Sequence, residues 1–266
     1  MRLADELASV LQTHTMGRTV RAFETIGSTN TEAAAWARNG APEGALVLTN
    51  FQTAGRGRQG RPWTAQAGVN LMGSLVLYPD VPPDAFGRLT LAAAVAVAEA
   101  IAPVVAPYRP TIKWPNDILL EGKKCCGVLL ETSLAGAPAQ RPPAVILGLG
   151  LNVNQVDFPA ALAERATSLR LVTGRTVARA PLLARLLKRF EELYTTAADE
   201  VQTRYVQRMA HRGETLTVRF AGSDRTCTGR VLGITATGAL RLRTPSGEKA
   251  LHAGEVTTQA ARSAHE

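Results

Sequence analysis

Apolar positions fall into short strand-like runs over the first 150 residues and into a helical repeat after residue 180. A short helix opens the chain, and TVRAFET (Thr19–Thr25) then reads as a strand. Thr29 and Glu32 have capping-box spacing, Ala33 to Arg38 continue a helix, and Gly40 is placed to end it. ALVLTN (Ala45–Asn50) and VNLMGSLVLY (Val69–Tyr78) are buried-strand runs, separated by a glycine-arginine loop from Ala54 to Trp63. Pro79, Pro82 and Pro83 then break the chain. Leu89 to Ile101 is apolar nearly all round, as suits a helix buried between layers. Thr111–Trp114, Ile118–Leu120 and Gly127–Glu131 read as three strands, joined by turns at Pro115-Asn116-Asp117 and Glu121-Gly122-Lys123. Ala144–Val153 is a further strand. From Pro181, the residues Leu182, Leu183, Leu186, Leu187, Phe190, Leu193 and Tyr194 recur at helical spacing and predict an amphipathic helix laid on a sheet.

Strands and helices do not alternate regularly, so the pattern predicts an α+β fold with a mixed sheet rather than a doubly wound parallel one. After His211 the segments LTVRF, CTGRVLGI, ALRLRT and KALHAG follow one another between Gly, Asp and Ser turn signals. That is the signature of a small β-barrel, and a boundary near Arg212 divides the chain into 1–211 and 212–266.

Composition changes this picture little. The chain has 266 residues, 45% of them hydrophobic, enough for a sizeable core. Three cysteines, two of them adjacent, form no disulfide framework and fit a reducing compartment. No His/Cys cluster has metal-ligand spacing, so a structural zinc is not expected. The start, MRLADELASVLQTHT, lacks the apolar run of a signal peptide. Leu89–Val105, interrupted by Glu99 and Pro103, falls short of the ~20 residues of a membrane span; a cytoplasmic protein is expected. The formal charge of +8, mostly arginine, suits nucleic acid, an anionic small molecule or an acidic partner. Arginine-rich codon usage produces the same balance.

Four segments carry candidate chemistry. Gly55-Arg56-Gly57-Arg58-Gln59-Gly60-Arg61, followed by Pro62 and Trp63, alternates glycines that admit close backbone approach with guanidinium forks that suit phosphate and carboxylate. Repelling like charges predict that this loop lacks order without a ligand. A plain RG-rich turn, or one touching RNA, fits the same residues. Lys113-Trp114-Pro115-Asn116-Asp117 puts a cation, an aromatic, an amide and a carboxylate on a turn, where Asp117 can hold Mg²⁺ on ATP or deprotonate an amine. Alternatively Asp117 only bonds local backbone. In Gly122-Lys123-Lys124-Cys125-Cys126-Gly127, a lysine entering a strand can stabilise adenylation of an acid. Gly127 admits close backbone approach, Lys123 is expected to face solvent, and a reactive thiol at Cys125 or Cys126 is an open alternative. In Gly148-Leu149-Gly150-Leu151-Asn152, alternate glycines leave bare backbone where a flat ligand can lie, with Asn152 expected on the same face. Ser28-Thr29-Asn30 is explained by helix capping alone and is compatible with substrate at that helix start.

Taken together and in this order, with Gln52 before the arginine loop, these segments resemble the biotin protein ligases from about residue 20 onward. The resemblance implies a catalytic domain related to class II synthetases followed by an SH3-like barrel, with biotin and ATP as substrates and Mg²⁺ on the nucleotide. It implies that Ser28, Thr29, Asn30, Gln52, Gly55, Arg56, Gly57, Arg58, Lys124, Gly127 and Gly150 meet biotin. It also implies that Arg58, Arg61, Trp63, Lys113, Asn116, Asp117, Lys124 and Asn152 lie around ATP, Asp117 being the Mg²⁺ contact. Lys124, Asp117 and Arg58 are the expected catalytic residues. The implied partner is the biotin carboxyl carrier domain of a carboxylase; neither specific DNA nor membrane is expected, and a homodimer is left open. Many members carry an N-terminal winged helix-turn-helix, whereas about twenty residues precede the catalytic region here, which predicts a monofunctional ligase. Cys125-Cys126 stands where Leu-Ala is often found. The lipoate ligases and octanoyltransferases, the latter with a cysteine nucleophile, are the rival enzymes, and a nucleic-acid-binding protein is the non-enzymatic rival.

Overall fold

The computed structural model describes residues 2–133, 143–220, 224–252 and 254–257. In chain order the first unit holds α1 (Arg2–Val10), β1 (Val20–Ile26), α2 (Thr29–Arg38), β2 (Leu46–Gln52), β3 (Leu71–Leu77), α3 (Gly87–Val105), β4 (Thr111–Lys113), β5 (Asp117–Leu120), β6 (Lys123–Ser133), β7 (Ala144–Leu151), α4 (Ala160–Ala163), α5 (Leu169–Thr173), α6 (Arg179–Thr195) and α7 (Ala198–Arg208). Its seven strands run in the order β1-β2-β3-β7-β6-β5-β4. Only β1 and β2 pair parallel; every other neighbouring pair is antiparallel. The expected mixed sheet is thus present.

The period-2 alternation of the strands divides this sheet into two faces. Leu46, Leu48, Leu75, Leu77, Val145 and Leu147 are buried with α3 and α6 in the main core. Val47, Val76, Ala144 and Ile146 are buried on the other face, with Ala33, Trp36 and Ala37 of α2. Two buried faces explain why these segments read as continuous apolar runs rather than alternating ones. The tight β5–β6 hairpin turns on Glu121 and Gly122, with φ of 49° and 73°, the left-handed pair that a two-residue turn needs.

The short helices α4 and α5 were not expected, and two longer helices differ from expectation. α3 continues to Val105 through Pro103; the proline removes one backbone bond, and burial of Ile101 and Val105 on either side holds the last turn. The helical stretch Pro83–Val105 is long and apolar enough by composition to cross a membrane, but it packs against β6, α6 and α7 as a core helix of this fold. The second, α7, has no counterpart in the hydrophobic pattern. Its buried residues are only Val201 and Tyr205, too few to show against a polar background.

The second unit contains β8 (Thr215–Arg219), β9 (Thr226–Ile234), β10 (Leu240–Thr244), β11 (Gly247–Leu251) and β12 (Glu255–Thr257), paired antiparallel in the order β11-β10-β9-β8-β12. It is the expected small C-terminal β-structure, with no closing pair between β11 and β12 among the described residues. Ala253 of the KALHAG segment and residues 258–266 lie outside them. Trp114, 4% exposed, joins the two units by donating from Nε1 to the Gly238 carbonyl at 2.9 Å. Gln202 of α7 donates to the Ile234 carbonyl at 2.6 Å.

Candidate active site

Strand register builds the floor of the site. Reading across the sheet on the face that α2 partly covers, Met72 opposes Gly150, Gly150 opposes Gly127, Gly127 opposes Asp117, and Asp117 opposes Lys113. Directly opposed residues share a face, so residues far apart in sequence form one row. α2 covers only the end of this face near Val47, Val76 and Ile146. The two glycines at its centre lie beneath the indole of Trp63. A Cβ on Gly150 would stand 2.5 Å from Trp63 Cε2, and one on Gly127 would stand 3.3 Å from Cζ3. Bare backbone was expected to receive a flat ligand; here the flat group on it is the chain's own tryptophan. Trp63 Nε1 is buried and has no hydrogen-bond partner among the described residues.

Lys124 reaches this row because of a bulge. Ile118 pairs with Cys126 but Leu119 pairs with Lys124, leaving Cys125 as the extra residue. Lys124 and Gly127 are three positions apart, which in a regular strand would set their side chains on opposite faces; the bulge reverses that parity. Lys124 Nζ therefore lies 2.6 Å from Asp117 Oδ1 and 5.6 Å from the Trp63 ring centroid. Lys123 is exposed, as expected, and caps the Ala163 carbonyl at 3.3 Å. Cys125 and Cys126 are fully buried, and burial pushes both thiols well above the ordinary thiol range. A thiolate nucleophile at either position is thereby disfavoured.

At the start of α2, Ser28, Thr29 and Asn30 are all buried. The capping expectation is corrected. Ser28 occupies the N-cap position but makes no side-chain cap bond, and Glu32 pairs with Arg21 at 3.1 Å instead of closing a capping box. Gln52, at the end of β2, does the work: its Oε1 accepts from the Thr29 backbone N–H at 2.8 Å and from the Thr29 hydroxyl at 3.1 Å. Ser74 on β3 lies with its Oγ 2.8 Å from Thr29 Oγ1 and 2.6 Å from Asn30 Oδ1. Asn30 Nδ2 donates to Glu131 at 2.5 Å. A side chain at Gly148 would collide with Asn30, so that glycine is required for close approach.

The glycine-arginine loop forms a hairpin. Gly57 N–H donates to the Arg61 carbonyl at 2.7 Å and Trp63 N–H to the Gly55 carbonyl at 2.9 Å, and Gln59 and Gly60 turn it with positive φ. Arg56 meets a counter-charge, and Arg58 and Arg61 meet neutral acceptors. The Arg56 fork spans both Glu131 oxygens at 3.2 Å, while its Nη1 reaches Thr31 Oγ1 at 2.8 Å and Ser28 Oγ at 3.4 Å. Arg58 reaches Asn116 Oδ1 at 3.3 Å and, in the second unit, the Gly254 carbonyl at 3.4 Å. Arg61 is exposed and bonds Gln59 at 3.3 Å.

Asn116 and Asn152 are buried and partly structural. Asn116 Nδ2 donates to the Val128 carbonyl at 2.6 Å, fixing the turn before Asp117 to β6. Asn152 Nδ2 donates to the Thr167 carbonyl at 3.1 Å, while its Oδ1 is buried and has no partner among the described residues. The structure thus brings Ser28, Thr29, Asn30, Gln52, Gly55, Arg56, Arg58, Trp63, Asn116, Asp117, Lys124, Gly127 and Gly150 together. Lys113 stands half-buried at the row's end. Sequence reasoning missed Glu131 and Ser74. The signal existed: Ser74 is the polar residue inside a wholly buried strand, and Glu131 follows Gly127 at an even spacing on β6.

Residues 22–152 match the Biotin/lipoate A/B protein ligase family. Residues 216–257 match the Biotin protein ligase C terminal domain. The chain is 37% identical to the bifunctional ligase/repressor BirA of Bacillus spizizenii, over 94% of this chain and 77% of that protein. It is also 37% identical to the biotin–[acetyl-CoA-carboxylase] ligase of Paracoccus denitrificans, over 86% and 96% respectively. The structure of biotin protein ligase from Aquifex aeolicus in complex with biotin and ATP superposes with a TM-score of 0.78 at 28% identity, covering 90% of this chain and 98% of that one. The chain belongs to the biotin protein ligase family.

Proposed function

We propose that this protein activates biotin with ATP and transfers it to a lysine of a biotin carboxyl carrier domain. The observation that carries this reading is the Lys124–Asp117 pair beside Trp63 and the Gly127–Gly150 floor, in a chain of this family. A biotin carboxylate oxygen attacks the α-phosphorus of ATP, the bond to the β-phosphate oxygen breaks, and pyrophosphate leaves. Lys124 lies where a cation can spread the charge that develops between carboxylate and phosphate. Ser28, Thr29, Asn30 and Gln52 form the recognition end for biotin. Arg58, Trp63, Asn116 and Asn152 line the nucleotide end, where Trp63 Nε1 and Asn152 Oδ1 supply an unused donor and acceptor. The hairpin keeps water from the mixed anhydride. The amine of the acceptor lysine then attacks the acyl carbon and AMP departs; Asp117, held by Lys124, orients that amine.

Among the described residues no three His, Cys, Asp or Glu side chains cluster for a metal. A Mg²⁺ carried by nucleotide phosphates needs only one or two protein carboxylates, and Asp117 fits that requirement. Bound there, the ion would neutralise phosphate charge. In this reading residues 1–211 are the catalytic unit and 212–266 a second unit that meets the hairpin through Gly254. The enzyme works in the cytoplasm, where its unpaired thiols stay reduced.

ATP–pyrophosphate exchange in the presence of biotin, lipoate, octanoate or no acid tests the proposal. Exchange with biotin alone is expected. Exchange with lipoate or octanoate instead would move the chain to another branch of the family, and no exchange from folded protein would overturn the reading.

A further inference from the structure

We infer that Glu131 is a positioning residue for this reaction, holding the Gly55–Arg61 hairpin against the start of α2 so that the activated acid is retained; the inference rests on the ligase reading above. Glu131 opposes Ile146 across β6 and β7, on the face that carries Gly127 and Gly150. Its carboxylate takes both arms of the Arg56 fork at 3.2 Å and the Asn30 amide at 2.5 Å. Each partner is anchored again on its far side. Asn30 Oδ1 meets Ser74, Ser74 meets Thr29, and Thr29 donates to Gln52, while Arg56 reaches Thr31 and Ser28. One carboxylate therefore couples the hairpin to every polar residue of the proposed biotin end.

The energetics argue for geometry rather than fold stability. The Arg56 and Glu131 side chains are each 37% exposed, and ion pairs that open to water stabilise folds little. A bidentate arginine–carboxylate fork nonetheless fixes orientation closely. It also neutralises Arg56, so that residue orients the hairpin and leaves the charge on carboxylate and phosphate to Lys124 and Arg58.

A double-mutant cycle with Glu131→Gln and Arg56→Gln tests this. The glutamine keeps an acceptor for Asn30 and removes the charge that holds Arg56. The wild-type protein must first show biotin-dependent exchange; its absence would remove the ligase reading and this inference with it. Glu131→Gln is expected to raise the KM for biotin and the release rate of preformed biotinyl-adenylate by about 10-fold each, the scale of one lost charge-assisted hydrogen bond. Its kcat should change less than about threefold, with the thermal midpoint moving by no more than about 2 °C. In the Arg56→Gln background the same change should alter release by less than about twofold, because the two residues act as one unit. Unchanged release in an active wild-type background, or an equal loss in both backgrounds, would overturn the role of Glu131.

Discussion

Lys124 Nζ and Asp117 Oδ1 stand 2.6 Å apart on neighbouring strands, and the extra residue Cys125 is what allows them to meet. Without that bulge the lysine would leave the face that carries Asp117, Gly127 and Gly150. The chemistry proposed here therefore depends on a local irregularity of one hairpin.

Lys124→Ala is expected to reduce biotin-dependent ATP–pyrophosphate exchange by more than ~100-fold, the scale of one removed electrostatic stabiliser. Near-normal exchange in the folded variant would take Lys124 out of the adenylation step.

Arg58 touches both units, through Asn116 and Gly254. Arg58→Ala should release the adenylate about 10-fold faster and label unrelated proteins with biotin. Retention of adenylate on a sizing column measures this directly, and an unchanged lifetime would mean that Arg58 does not hold the closed hairpin.

Gly150 has no room for a methyl group, because its Cβ would stand 2.5 Å from the Trp63 ring. Gly150→Ala should destabilise the protein by about 1–3 kcal/mol through overpacking and displace the indole. Urea unfolding followed by tryptophan fluorescence reads both effects. A variant as stable as the wild type, with unaltered emission, would show that the indole does not rest on this glycine.

Iodoacetamide at pH 8 should leave exchange activity intact. Cys125 and Cys126 are fully buried with thiols pushed far above that pH, whereas Cys227 is only half-buried. Mass spectrometry should find at most a single label, on Cys227. Inactivation coupled to a label on Cys125 or Cys126 would restore the thiol reading.

The strands Leu46–Gln52, Leu71–Leu77 and Ala144–Leu151 were legible because burial on both faces leaves a largely apolar stretch in each. Helix α6 was legible because one buried stripe at helical spacing dominates its composition. Helix α7 was not, since its buried contacts are few. The capping box failed because Gln52, brought from another strand, satisfies the helix start before the local side chains do. The arginine loop was not legible as a hairpin because Glu131, Asn116 and Gly254, which Arg56 and Arg58 meet, lie 58 or more residues away from them in sequence.

Local pattern by itself determined most element types, the mixed-sheet class and the candidate segments, because periodicity and turn residues act within a few positions of one another. Only the tertiary structure decided which of those residues face one another. Register and bulges set side-chain parity, and they arise from pairing between distant strands. That is why the Gly127–Gly150 row and the Lys124–Asp117 pair, as well as the Glu131 link, exist only in the folded protein.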